Sequence, residues 1–278
     1  MRDTTKPIPG LDAETEKQRG FERVHADLNK PDTVASAVKS TGAKYAFFYL
    51  AFGAPDHMRA TAEALKSAGI KEAVFLSSFT VHGNLRDIEP SDMIPYAHAQ
   101  VELVLQDVFG EHFIALRPGS FASNEIQYKE GLQANDVKIA FPRLAGDGIV
   151  PEDIGRVAGT ILAQGPKDDK KAITLYGPEI HSPAEIVKIL SKVLGKDPKV
   201  SEATEAEARQ ILTEVRKLPP PLVEYFLKQA NKPLPEDKTH ILGYLVEDEE
   251  FGNVEKYSGQ RSTTFEEWAT QNKHLFEV

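Results

Sequence analysis

At 278 residues, with 41% hydrophobic and 27% charged side chains, the chain is long enough for one large α/β domain or a main domain with an appendage, and too apolar for wholesale disorder. A net charge of −9 without a lysine or arginine cluster argues against direct attraction to nucleic acid or anionic lipid, so neither is expected as a partner. The absence of cysteine excludes disulfides, thiolate catalysis and cysteine-ligated zinc, and the cytoplasm is the expected location.

From residue 21 onward, short apolar runs alternate with amphipathic stretches. Residues 21–26, 45–50, 73–76 and 113–116 read as strands, while 31–39, 54–67 and 96–108 carry helical spacing. The longest apolar run, residues 45–52, is far too short to cross a bilayer and reads as a buried strand. Pro31 at a helix entrance, and Gly69 and Gly110 just past helix ends, punctuate the pattern. Strands alternating with helices of this length specify a parallel sheet built from right-handed crossovers.

Past Pro118 the pattern changes. Helices are expected over 149–162, 182–194, 204–217 and 221–229, a strand over 172–176, and a last helix holding Trp268 as a packing anchor. Residues 1–117 should therefore form the main sheet, and 118–278 a smaller helix-rich substrate region with strands returning to it. Gly155 and Gly159, four apart within a helix, read as a packing position rather than a phosphate loop. The acidic run 247–250 reads as a solvated face, and no histidine pair has metal-binding spacing.

Several stretches, taken in order, carry a resemblance. They are Ala26-Asp27-Leu28 after a strand, Val74-Phe75-Leu76-Ser77-Ser78, and Leu116-Arg117-Pro118-Gly119-Ser120-Phe121 with Asn124 shortly after. Glu152-Asp153-Ile154-Gly155 and Leu175-Tyr176-Gly177-Pro178-Glu179 extend it. Over about residues 21–200 this resembles the NmrA-like family, atypical members of the short-chain dehydrogenase/reductase superfamily. The resemblance implies an α/β fold with a Rossmann-like doubly wound parallel sheet and NADP as cofactor.

Family members open with a strand, a glycine-rich turn, a helix and a second strand often ending in Arg-Asp. Arg2-Asp3 resembles that ending, so the fold is expected to be N-terminally truncated and the natural product to start upstream of Met1. A glycine-rich turn and the helix behind it hold the diphosphate, so the hold of this chain on NADP should be weak. In the usual strand order the missing strand is central, and each unpaired buried backbone group costs about 1–3 kcal/mol. Residues 21–26 are accordingly expected to close directly beside residues 45–50.

In the superfamily a serine, a tyrosine and a lysine spaced Tyr-x-x-x-Lys do the chemistry, the lysine lowering the tyrosine pKa. The resemblance places Ser78 in the serine role and Ser77 beside the cofactor. Tyr96 is the matching tyrosine, yet the residue four positions on is Gln100, which carries no charge, so hydride chemistry at full strength is not expected. Another register puts His98 in the lysine position with Glu102 four residues on, as a ribose partner or proton relay, or as a helix-start histidine facing solvent or a loop.

Arg2 resembles the reader of a 2′-phosphate, and Asp27 and Leu28 the pair beside the adenine, although Asp27 equally reads as a cap for the next helix. Ala51, Phe52, Pro118 and Phe121 are further cofactor positions, and Asn124 a substrate position, with simple loop packing as the alternative for the last two. Two functions remain open: an NmrA-like sensor or regulator with little turnover, and an NAD(P)H-dependent reductase of a small carbonyl or isoflavone-like substrate. A cofactor-free fragment is a third reading. The partner is a small molecule or another protein, and an oligomer is compatible.

Overall fold

The computed structural model describes residues 1–8, 10–233, 240–246 and 250–277. A short helix α1 (Ala13–Gln18) precedes the repeating unit: α2 (Pro31–Thr41), β1 (Tyr45–Tyr49), α3 (Arg59–Ala68), β2 (Glu72–Leu76), α4 (Met93–Phe109) and β3 (Phe113–Pro118). After α5 (Lys129–Ala134), β4 (Asp136–Ile139) and α6 (Pro151–Gln164), strand β5 (Ala172–Leu175) joins β3, giving a parallel sheet in the order β1-β2-β3-β5. The expected Rossmann-like doubly wound α/β sheet is thus present. Residues beyond 118 supply its last strand, β5, and the helix α6 that packs on one face.

Burial follows the pattern of a parallel sheet. In β2 and β3 the central residues are buried on both faces, and apolar runs that ignore alternation have this physical cause. Phe48, Phe75, Val101, Leu105 and Phe109 pack with α2 and α3 on one face; Val74, Leu116, Val157 and Ile173 pack with α6 on the other.

Strand β1 differs, because Ala46 and Phe48 turn into the first cluster while Tyr45, Phe47 and Tyr49 are 51%, 42% and 55% exposed. Residues 21–26 do not form the expected strand and do not close beside β1. They run without regular structure, held at Met1, whose amino group donates to the Val24 carbonyl (2.7 Å) and whose carbonyl accepts from Ala26 N–H (3.0 Å). Ala26 and Leu28 pack on the α2–α3 cluster, and the Thr61 hydroxyl donates to the Leu28 carbonyl (2.8 Å). These anchors hold the segment away from β1 across a groove of about 600 Å³ lined by Val24, Ala26, Tyr45 and Phe47.

Strand β4 pairs with β6 (Lys199–Glu202) in a separate two-stranded parallel sheet, after α7 (Pro183–Leu194). Helix α8 (Glu205–Gln210) continues into a wider turn at 211–215, and α9 (Pro220–Ala230) begins on the proline run. A hairpin of β7 (His240–Ile241) and β8 (Tyr244–Leu245) leads to α10 (Asn253–Ser258) and α11 (Phe265–Gln271). Trp268 is a packing anchor: it is buried, stacked on Phe265 (5.7 Å) and edge-on to Phe276 (6.3 Å). Gly155 and Gly159 lie in α6 as expected but face open space, because the buried stripe of that helix is Ile154, Val157, Ala158 and Ile161; they are not a packing position. Of the acidic run 247–250, positions 247–249 lie outside the described residues.

Candidate functional site

The C-terminal ends of β1, β2 and β3 open on one edge of the sheet, and α4 begins beside them. At the β2 exit, Ser77 is buried and its hydroxyl donates to Glu102 Oε1 (2.5 Å). Arg117 at the end of β3 grips the same carboxylate through Nε (3.0 Å) and Nη2 (2.6 Å) and reaches the Val81 carbonyl through Nη1 (3.0 Å). With side chains 3% and 16% exposed, this pair is nearly dry and tied by hydrogen bonds at both ends. It welds two strand exits and α4 into one unit, and it commits Ser77 to Glu102. Ser78, one residue on, shares a hydrogen bond with Thr80 (2.9 Å) in the loop that Arg117 fastens.

The β3 exit is clasped by a second buried carboxylate, Asp147. It accepts from Ser120 N–H (2.6 Å), the Ser120 hydroxyl (3.1 Å) and Gly177 N–H (2.8 Å). A Cβ on Gly119 would overlap this carboxylate, and one on Gly177 would overlap the Asp147 backbone, so both exits need glycine. Burial outweighs these hydrogen bonds and pushes the Asp147 carboxyl up to about 6. Pro118, Phe121 and Asn124 follow from this clasp: the Pro118 carbonyl accepts from Phe79 N–H, Phe121 bridges to Ile149, and Asn124 is exposed.

Around the β1 exit the packing is looser. Ala51 N–H points at Met58 Sδ (3.2 Å), and Phe52 is 59% exposed, edge-on to His98 at 6.1 Å. His57 and Met58 are consecutive left-handed non-glycine residues (φ 51° and 65°), a conformation costing roughly 1–2 kcal/mol each. The consequence is a start of α3 five residues later than the helical spacing from 54 suggests.

Tyr96 lies edge-on to His57 (5.9 Å), and among the described residues its hydroxyl has no hydrogen bond. His98 is buried in α4 near Phe75, with Nδ1 donating to the Ile94 carbonyl (2.8 Å). That bond fixes the neutral tautomer with Nε2 as acceptor, and burial lowers the pKa of the ring.

Ser77, Ser78, Ala51, Phe52, Tyr96, His98, Pro118 and Phe121 thus belong to one edge. Asp27 does not cap α2, whose N-cap position is Lys30 without a side-chain bond; its carboxylate instead closes a local turn by accepting from Asn29 N–H (3.0 Å), and Leu28 joins the α2–α3 cluster. Arg2 is exposed at the chain start, apart from these groups. The Glu102–Arg117 pair and the Asp147 clasp were not anticipated as units. The signals were present in Arg117-Pro118-Gly119-Ser120 and Gly146-Asp147-Gly148, but pairing across 15 and 27 residues is a tertiary fact.

No family model matches the chain. The nitrogen metabolite regulation-like protein bik4 of Gibberella fujikuroi is 34% identical over 290 aligned positions, covering 96% of this chain and 86% of the relative. Among solved structures, the NADPH-dependent quinone oxidoreductase QOR2 of Escherichia coli, complexed with NADPH, superposes with a TM-score of 0.68 at 19% identity, over 95% of this chain and 87% of that one. The triphenylmethane reductase of Citrobacter sp., complexed with NADP(H), gives 0.67 at 15% identity, over 94% and 88%. At these identities the likeness is one of fold.

Proposed function

The chain belongs to the nitrogen metabolite regulation-like (NmrA-like) family, and from that premise we propose that it is an NADP-binding-type redox protein that acts as a sensor or regulator, with little turnover. The relative is named for regulation, and the fold neighbours were solved with NADPH or NADP(H). The observation that carries the reading is the proton-donor position. Tyr96 is followed four residues later by Gln100, and His98 holds a fixed neutral tautomer, so neither position supplies the cation that the superfamily places beside its tyrosine.

The described residues fit the cofactor in part. At the exits of β1, β2 and β3, Ala51, Phe52 and Ser78 are the partly or fully exposed residues that would meet the nicotinamide and ribose end. The diphosphate finds no glycine cradle there: Gly119 and Gly177 are occupied by Asp147, and Gly53 stands alone at the β1 exit. The cofactor's affinity should be at least tenfold below that of a relative with a cradle, since one charge-assisted hydrogen bond is worth about 1.5–3 kcal/mol and 1.4 kcal/mol is a factor of ten.

Calorimetric titration with NADPH and NADP⁺, followed by absorbance of NADPH over a panel of quinones and small carbonyls, tests this. Weak binding that differs between the two redox states, without steady NADPH loss, is the expected result. Steady oxidation would make the chain a reductase instead. No heat with either nucleotide would remove the redox part of the reading.

A further inference from the structure

Away from the sheet edge, the helical region holds a second polar centre that the redox reading does not use. A cavity of about 60 Å³ is enclosed by the 122–128 segment, the start of α7, the end of the 211–216 turn and the hairpin. Glu125, Tyr128, His181 and Arg216 line it, together with Phe141 and Leu144. A water needs at least roughly 10–15 Å³, so the space exceeds what a single water requires.

Its polar groups are incompletely partnered. Arg216 lies over the Phe226 ring (5.1 Å), and among the described residues its guanidinium makes no hydrogen bond and no ion pair, not even with Glu125 across the cavity. Glu125 accepts only from the Gln127 amide (3.1 Å). His181 Nε2 is buried without a hydrogen bond, 3.4 Å from the Glu179 carboxylate. A half-buried guanidinium and a half-buried carboxyl that line one small cavity without meeting leave room between them for a group that serves both.

Charges on the surrounding elements are engaged elsewhere: Asp147 with Ser120 and Gly177, and Glu185 with Ser182 at the start of α7. Glu125 is half-buried as a whole residue, yet its carboxyl end is enclosed enough that burial pushes it up to about 7, with Arg216 opposing. Burial likewise lowers Arg216 and raises the Tyr128 phenol, which keeps Tyr128 a donor at neutral pH.

We propose that this cavity is a binding site for a small carboxylate anion of two or three carbons, with Arg216 as its ion partner and Glu125 taking up one proton to donate to the second oxygen. The planar guanidinium fork matches a carboxylate, and a space of about 60 Å³, larger than one water, restricts the occupant to a small acid. Two carboxylates in one small site cannot both stay ionised, so the proton comes from solvent and forms the Glu125 O–H. The net charge of the site is zero before and after: Glu⁻ with Arg⁺, then protonated Glu with Arg⁺ and the anion.

The test is calorimetric titration of the full 278-residue chain with sodium acetate, with acetamide as the neutral isostere, at pH 6, 7 and 8 in buffers of different ionisation heat. It uses no nucleotide, so its outcome is independent of the redox reading. Acetate should bind and acetamide should not; close to one proton should be taken up per anion at pH 8, with affinity falling up to about tenfold per pH unit above 7. Arg216→Gln should weaken acetate at least tenfold. Glu125→Gln, which keeps the donor, should retain binding and lose its pH dependence. Equal binding of acetamide, no proton uptake, a pH slope surviving in Glu125→Gln, or no heat from acetate on the natively folded chain would each overturn the proposal and leave a cavity holding water alone.

Discussion

The exits of β1 and β3 lie on one edge of one sheet and are built in opposite ways. At β3, buried carboxylates answer backbone and guanidinium donors, both strand faces are covered, and glycines admit the Asp147 clasp. At β1, three aromatic side chains stand exposed on one face, the outer backbone edge meets no strand among the described residues, and the following loop runs through two left-handed residues. A parallel strand is stable when neighbours cover both faces and both edges, so β1 has half of its requirements met and β3 all of them. Phe47 and Phe48, adjacent in sequence, are 42% and 5% exposed, which places that boundary within a single strand.

The strongest perturbation should come from breaking the ion pair at β3. Arg117→Leu leaves the Glu102 carboxylate buried without its cation, at a cost of about 3–5 kcal/mol, read as a lowered urea midpoint. A shift below about 1 kcal/mol would mean that Glu102 is neutral or hydrated, and the two exits would then be less different than described.

A smaller effect is expected at the clasp. Asp147→Asn turns an amide N–H toward a backbone donor, costing about 1–3 kcal/mol. The same variant sharpens the pH behaviour. Because the folded carboxyl is raised to about 6, its protonated form favours the fold; that contribution is complete below the unfolded value near 3.8 and is lost as pH rises through 6. The Asp147 contribution to parent stability should therefore fall between pH 4 and 7, and the difference between parent and Asp147→Asn should show that fall. An unchanged slope would assign the titration to another group, Glu125 being the next in range.

The least effect belongs to β1. Phe47→Lys should change stability by no more than about 0.5 kcal/mol and raise solubility in a precipitation assay. A loss of several kcal/mol would show that the exposed face is covered in solution.

Much of the parallel sheet was legible because its strands are buried on two faces and its helices have the amphipathic period; β2, α4, β3 and α7 fall close to their expected places. Residues 21–26 mix Phe21, Val24 and Ala26 with Glu22, Arg23 and His25, and a strand needs a partner strand; here their backbone bonds go to Met1 and Glu16 instead. The separate β4–β6 sheet was hidden for a similar reason, since two four-residue strands joined only through pairing give no periodic signal. The strand exits themselves were legible by position. The groups that fix them, Glu102 with Ser77 and Arg117, and Asp147 with Ser120 and Gly177, make contacts that local pattern does not encode.

The chain has a single tryptophan, and it lies outside the two clusters that cover the main sheet, packed between Phe265 and Phe276 in the cluster that joins α7 and α11. Its emission is therefore a local optical probe. Intrinsic fluorescence will follow melting of the helical half, whereas far-ultraviolet dichroism sums the whole molecule. If the two signals separate during denaturation, the molecule comes apart in two stages, and the order of those stages identifies which half is the weaker.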